Sequence, residues 1–441
     1  MYLIYSLLLF LAFVLLFPYF TFQALLRNKY RANFWQRLGL VPGELAGDSR
    51  PTIWLHCVSV GEALAAQPLV QELRRRLTDW RIVVSTTTIT GQKIARERFA
   101  GLDGIFYFPF DWQLCARRSL KRIAPQMVII METELWPNFL RETRKQKIPV
   151  IVANGRISPK SFRRYFRVRS LIKRVLQNVT LFCMQSKEDA SRIATLGECQ
   201  DKIVVTGNLK YDVGPGQQER YDAVAEHLNG LLALSGTRQL IVAGSTAAGE
   251  EEMLLDSLRA IRKHPSLSQV RLLIAPRHPE RFEEVARIIK RSGFSLARRS
   301  QLESNSSDAD VILLDSIGEL AAVYRFAGVV FVGGSLAPKG GHNILEPAIY
   351  GKPIIVGPYT DNFRQIISDF ANQQAAVQLP LTTADELGKL LTERLIELLS
   401  SDAGQMIGER ARAVIDRNRG AAARTVDEIV KIIEVNRRRG D

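Results

Sequence analysis

Acidic side chains are the scarce charged class in this chain of 441 residues, where 45 Asp and Glu stand against 60 Lys and Arg and leave a formal net charge of +15. That imbalance points to an acidic partner such as nucleic acid, anionic lipid or a phosphorylated substrate. Cysteine is nearly absent. The four present, Cys57, Cys115, Cys183 and Cys199, include no pair at metal-ligand spacing, which argues against a zinc ribbon and suits reduced thiols in a cytoplasmic protein. Five histidines without a cluster give no zinc site either. No sequence repeat is visible.

Charge is missing altogether from residues 1–26. The run MYLIYSLLLFLAFVLLFPYF is long enough for one membrane span. It lacks the positive leader and small-residue cleavage site of a removed signal peptide. Arg27, Lys29, Arg31 and Arg37 follow at once, and the positive-inside rule then puts the remainder in the cytoplasm. Pro18 and the tyrosines also suit a re-entrant or interfacial helix. The expectation is a membrane anchor over 1–26.

After a Gly- and Pro-rich connection (32–50), short apolar β-branched runs recur at helix-length spacing, as βαβ units require. Strands are expected at 53–58, 81–86, 105–108, 127–131, 149–153 and 181–184, with an amphipathic helix over Glu62–Leu77 and another at about 90–99. The first domain runs from 33 to 211. Residues 207–228 turn polar without apolar periodicity and read as a link. A second α/β domain, 229–425, has strands expected at 239–243, 270–275, 311–314, 328–332 and 353–356, a loop at Ser300–Ala309, and helices at about 249–263, 280–291, 318–325, 344–350 and 362–370. The last 40 residues are helical and charged.

The most telling stretch is Phe331–Pro358, FVGGSLAPKGGHNILEPAIYGKPIIVGP. A strand runs into Gly333-Gly334 and Gly340-Gly341, then into a helix that Asn343 can cap, with Pro347 in its first turn. A glycine-rich turn between strand and helix lets backbone amides approach a phosphate. Glu346 could accept hydrogen bonds from ribose hydroxyls, although Asn343-x-x-Glu346 is equally a capping box. Glu62, at a probable helix start after the first strand, suits a general base, yet Ser59-x-x-Glu62 is also a capping box. Glu132 and Glu134 end a buried strand, where open α/β sheets hold ligands. Lys210 lies in the polar link. Arg156–Arg174 carries eight Lys/Arg and no acid, with Phe162, Tyr165 and Phe166 interleaved, and reads as a surface for anionic headgroups. Nucleic acid, the runner-up partner, is disfavoured by the anchor in the same chain.

The block from Phe331, together with Ser59-Val60-Gly61-Glu62, METELWPN from Met131, Gly207-Asn208-Leu209-Lys210, Gly244-Ser245-Thr246 and Pro276-Arg277-His278, resembles the signature of 3-deoxy-D-manno-octulosonic acid (Kdo) transferases. That resemblance implies a GT-B glycosyltransferase: two Rossmann-like domains facing a central cleft, at the cytoplasmic side of the inner membrane. It implies transfer of Kdo from CMP-Kdo to lipid IVA in lipopolysaccharide biosynthesis, by inversion, with no cofactor or catalytic metal. Glu62 matches the catalytic base, and Glu132 and Lys210 match positions that stabilise the transition state. Gly244, Ser245, Thr246, Pro276, Arg277, Ile317, Gly318, Glu319, Asn343, Ile344, Leu345 and Glu346 match nucleotide-binding positions. The chain departs from the family by having Ala247 where a histidine is usual. Three other readings stand beside this one. They are lipid A disaccharide synthase, a UDP-sugar 2-epimerase-like isomerase, and a non-enzymatic binder of anionic lipid.

Overall fold

A computed structural model describes residues 2–27, 34–212, 217–232, 234, 239–301 and 309–440. They divide into two units, residues 1–214 with 419–441, and residues 215–418.

In the first unit, seven parallel strands lie in the order β3-β2-β1-β4-β5-β6-β7. They are β1 (Thr52–Cys57), β2 (Arg81–Thr86), β3 (Gly104–Tyr107), β4 (Met127–Met131), β5 (Val150–Gly155), β6 (Leu181–Met184) and β7 (Ile203–Val205). The central runs TIWLHC and MVIIM are buried throughout, as strands covered on both faces must be. The expected helix at Glu62–Leu77 forms as two pieces, Val60–Ala65 and Gln67–Arg76. Pro68 sits at the start of the second and has no amide to continue the first.

The last helix, Ala421–Gly440, belongs to this unit, with Ala421, Ala422, Val426, Ile429 and Ile433 in the core beneath β1 and β4. Asp212 anchors its start by accepting from the amides of Gly420 and Ala422, both at 2.6 Å. Strand order reverses between β1 and β4, making the carboxyl ends of those two strands the topological switch point.

The N-terminal segment is a helix, Tyr2–Arg27, but among the described residues no helix is long and apolar enough to cross a membrane. The expected span is therefore not borne out there. Lys29 and Arg31, of the flanking basic set, lie outside the described residues. The start of the helix runs along the first unit, held by polar groups. The Tyr5 hydroxyl donates to Asp111 at 2.9 Å, Asn138 Nδ2 donates to Ser6 Oγ at 3.0 Å, and Asn178 Nδ2 donates to the Tyr2 hydroxyl at 2.9 Å. Leu3, Leu7, Leu8 and Leu15 are exposed on its outer side. The basic segment forms two helices, Pro159–Arg167, which buries no residue, and Arg169–Leu176.

The second unit holds another seven-stranded parallel sheet, ordered β10-β11-β9-β8-β12-β13-β14. Its strands are β8 (Leu240–Thr246), β9 (Arg271–Pro276), β10 (Leu296–Arg298), β11 (Val311–Leu313), β12 (Val329–Val332), β13 (Ile354–Val356) and β14 (Val377–Gln378). The switch point lies between β8 and β12. Residues 217–232 form a helix, so the second half of the expected link, 217–228, is helical instead. Ala225, Leu228 and Leu232 supply its buried face at helical spacing. Of the loop expected at Ser300–Ala309, residues 302–308 lie outside the described residues.

Glu250 fixes the switch point of this sheet. Its carboxylate is buried at the start of the helix Glu250–Ile261 and accepts four backbone amides: Ala247 at 2.8 Å, Gly334 at 2.8 Å, Ser335 at 2.9 Å and Leu336 at 2.8 Å. Gly333 has no space for a Cβ, which would lie 2.7 Å from Glu250 Oε2 and 2.6 Å from the Ser245 carbonyl. Glu250→Ala strands those amides, and each buried donor left without a partner costs about 1–3 kcal/mol. Denaturant unfolding of the variant should show the second unit destabilised by that order, and a midpoint equal to that of the parent chain would contradict the assignment.

Candidate active site

The first unit gathers its charged groups beyond the carboxyl ends of β1, β4, β5 and β7. Glu62 follows β1 in the first turn of Val60–Ala65 and is only 6% exposed. The capping reading holds, since the Ser59 hydroxyl accepts the Glu62 amide at 3.4 Å. The Glu62 carboxylate has its own partners as well. Val58 N–H donates to Oε2 at 2.8 Å and the Ser59 hydroxyl donates to Oε1 at 3.2 Å. Burial, reinforced by the nearby carboxylates of Glu132 and Glu134, pushes its pKa up to about 8.

Glu132 is the first residue after β4 and carries a left-handed backbone, φ 54°. Such a conformation costs of order 1–3 kcal/mol in a residue with a side chain, and persists only where its surroundings enforce it. Here the Glu132 amide donates to the Ala153 carbonyl at 2.9 Å, and Arg156 Nε donates to Glu132 Oε2 at 2.7 Å. Burial raises the pKa of Glu134, with Glu132 adding to it.

Lys210 sits in the turn Leu209–Tyr211 after β7. Asn208 caps that turn, and Asn154 Oδ1 accepts the Leu209 amide at 2.9 Å. Burial lowers the pKa of Lys210, opposed by attraction to Glu132 and Glu62. The structure thus brings Glu62, Glu132 and Lys210 into one electrostatic cluster. It adds two members that the sequence reading did not assign to it: Glu134, passed over in favour of Glu132, and Arg156, read only as part of the membrane-facing basic run. The signal for Arg156 was its place directly after the β5 end Asn154-Gly155.

In the second unit, the expected nucleotide residues lie at or beyond the carboxyl ends of β8, β9, β11 and β12, four neighbours in one sheet. Ser245, next to the last residue of β8, has φ 56°. Gly244 has no space for a side chain, because a Cβ would lie 2.0 Å from the Tyr324 hydroxyl. Thr246 is fully buried and its hydroxyl donates to Glu251 at 2.8 Å. Pro276 pairs with Thr246 in register, and the Arg277 amide donates to the Thr246 carbonyl at 3.0 Å. Ile317 is 81% exposed beside Gly318, which has φ 88°, and Glu319 pairs with Arg299 at 3.0 Å.

Asn343 Oδ1 accepts the Leu345 amide at 3.1 Å, just before the helix Leu345–Ile349, and its Nδ2 donates to Glu346 at 3.2 Å. Ile344 and Leu345 are buried, so their side chains pack and Asn343 and Glu346 carry the polar groups of this segment. Burial raises the pKa of Glu346, and Arg277 opposes the shift. His342 lies against Gly334, and burial plus the positive field of Arg277 and His278 lowers its pKa to about 4. One expectation needs correcting. The amides of Gly334, Ser335 and Leu336 do not form an open phosphate cradle, because Glu250 already occupies them. Among the described residues no group of three or more His, Cys, Asp or Glu is placed to hold a metal ion.

These sites can be set beside known proteins. A family model described as 3-Deoxy-D-manno-octulosonic-acid transferase (kdotransferase) matches residues 32–213. A 3-deoxy-D-manno-octulosonic acid transferase of Haemophilus influenzae is 35% identical over 412 residues, covering 92% of this chain and 93% of the relative. The enzyme of that name from Bordetella pertussis is 33% identical over 407 residues, 90% of each chain. Among solved structures, a UDP-GlcNAc 2-epimerase from Neisseria meningitidis matches with a TM-score of 0.51 at 12% identity, covering 83% of this chain and 98% of that one. That distant likeness concerns the fold alone, two parallel-sheet α/β units of the kind seen in GT-B glycosyltransferases. On the near full-length identity to its bacterial relatives, the chain belongs to the 3-deoxy-D-manno-octulosonic acid transferase family and is a glycosyltransferase.

Proposed function

We propose that the protein moves Kdo from CMP-Kdo to lipid IVA with inversion at the anomeric carbon, in lipopolysaccharide biosynthesis, using Glu62 as the general base. The observation that carries this reading is the buried Glu62 carboxylate, whose pKa of about 8 lies close to the working pH of a cytoplasmic enzyme. The acceptor hydroxyl attacks the anomeric carbon as Glu62 takes its proton. The bond from that carbon to the CMP phosphate breaks, and CMP leaves with the electron pair. Glu62 then returns the proton to solvent. Glu132 and Lys210 are proposed to stabilise the charge that shifts during this displacement. The reaction as proposed calls on no metal.

In the second unit, Arg277, Asn343 and Glu346 are the polar groups best suited to the nucleotide. Arg277 offers a cation for phosphate, and Glu346 an acceptor for hydroxyls. The donor identity rests on family membership, and so does the choice over an epimerase or a different lipid-directed transferase.

We further propose that the protein sits on the cytoplasmic leaflet of the inner membrane. The exposed leucines of the N-terminal helix supply apolar contact. The helices Pro159–Arg167 and Arg169–Leu176 supply positive charge toward anionic headgroups. The two surfaces adjoin, since the Tyr2 hydroxyl donates to the Arg174 carbonyl at 3.3 Å.

Incubating the purified chain with lipid IVA and freshly generated CMP-Kdo should add one or more Kdo masses to the lipid in mass spectrometry. Glu62→Gln should slow that transfer by about 10²–10⁴-fold, the usual worth of a general base, with an unchanged circular dichroism spectrum. Wild-type-like turnover by the variant would overturn the assignment. In flotation assays the chain should bind vesicles containing anionic lipid more strongly than zwitterionic ones, and Leu3→Glu with Leu7→Glu should weaken binding to both. Equal recovery of the parent and the double variant would contradict the membrane reading.

A further inference from the structure

Arg156 is held with more care than a surface arginine needs. Its backbone is anchored at the residue itself and on both flanks. Before it, Asn154 is fully buried in a left-handed conformation, φ 56°, and its carbonyl accepts Gln185 Nε2 at 3.0 Å. At Arg156 itself, the amide donates to the Thr133 hydroxyl at 3.1 Å, and that hydroxyl donates back to the Arg156 carbonyl. After it, the Ile157 amide donates to Asp189 at 2.8 Å, and Arg192 donates to the Ile157 carbonyl at 2.8 Å. Thr133 lies between Glu132 and Glu134, so the arginine is clasped to the acidic loop by main chain as well as by side chain.

The side chain is also used in only one direction. Nε donates to Glu132 at 2.7 Å, while 51% of the side chain stays exposed, against 13% for Glu132. Among the described residues, neither Nη of Arg156 has a hydrogen-bond partner. An exposed ion pair alone is worth little, and an arginine kept only to hold Glu132 would gain nothing from leaving its fork in water. A guanidinium with Nε occupied still offers two parallel Nη donors, which match the oxygens of a phosphate or carboxylate. The setting calls for such a group. Three carboxylates, Glu62, Glu132 and Glu134, would repel an anionic substrate from this strand edge, and Lys210 is partly desolvated.

We propose that Arg156 recognises an anionic group of a substrate, binding it through the Nη fork while Nε keeps Glu132 in position. The inference rests on the reading above, in which both substrates carry such groups: phosphates on the acceptor lipid, and a carboxylate on the transferred octulosonic acid.

Binding measured on the full-length chain by calorimetry tests this without turnover. Lipid IVA is compared with its dephosphorylated form, and CMP-Kdo with CMP, for the parent chain, Arg156→Gln and Arg156→Lys. In one of the two pairs, Arg156→Gln should reduce the advantage of the ligand carrying the lipid phosphates or the octulosonate carboxylate by roughly ten- to hundredfold, the value of a charge-assisted hydrogen bond. Arg156→Lys, which keeps charge but not the fork, should fall between the two. Collapse of the lipid pair identifies the phosphate as the bound group, and collapse of the CMP-Kdo pair identifies the carboxylate. If both ratios stay at parent values in Arg156→Gln while kcat falls, Arg156 only holds Glu132 and the proposal is overturned. If the folded parent chain binds neither pair, the substrate reading fails and takes the proposal with it. That outcome is distinct from an unchanged ratio.

Discussion

The first unit depends on a repulsion that it does not relieve. Three carboxylates, Glu62, Glu132 and Glu134, are crowded beyond the ends of β1 and β4, and burial makes the charge of Glu62 and Glu134 harder to hold. A fold selected for stability alone would dissolve such a cluster, since unpaired buried charge is among the costliest features a protein can carry. Here it is kept and trimmed by Lys210 and Arg156. The consequence is a carboxyl group whose pKa is raised to about 8, as the proposed base role requires. The sheet supplies the geometry, because the reversal of strand order between β1 and β4 is what opens space above the two strand ends that carry Glu62 and Glu132.

Backbone strain marks the same places. Glu132, Asn154 and Ser245 all adopt left-handed φ values at the ends of β4, β5 and β8. Each turns the chain sharply out of a strand and into a site segment. The second unit adds another device beside the strained Ser245. There a buried carboxylate, Glu250, knits the β8 and β12 loops through backbone amides. That duty is structural, and it takes up the very amides that a glycine-rich pattern suggests are free for phosphate.

Much of this was legible in the sequence, and the parts that were not share physical causes. The expected central strands form because strands covered on both faces must be continuous apolar runs. The three that were not anticipated, β7, β10 and β14, are all edge strands of two or three residues. Strands of two or three residues leave too short an apolar run to read. The helix at 217–232 was hidden because its polar residues outnumber the three that pack. Main-chain hydrogen bonding was equally invisible. Spacing suggests that Asn343 caps a helix and that Ser59 pairs with Glu62, but not that Glu250 reaches across to residues 334–336. The adjacency of the consecutive strands β4 and β5 brings Arg156 to the acidic cluster, but the Nε contact to Glu132 is a side-chain detail that spacing does not give. Family resemblance pointed to Glu62, Glu132 and Lys210 where spacing alone favoured caps and solvated loops.

The account stands on the acidity of Glu62, and the pH dependence of transfer reads it directly. A base must be ionised to act, so kcat/KM, which reports the free enzyme, should rise with pH and level off through an apparent pKa near 8. Replacing Glu134 by Gln removes one of the neighbouring negative charges that raise it, and should move that limb to lower pH. A limb in the ordinary carboxylate range near pH 4–5, or one that stays in place in Glu134→Gln, would contradict the claim that this crowded carboxylate is the base.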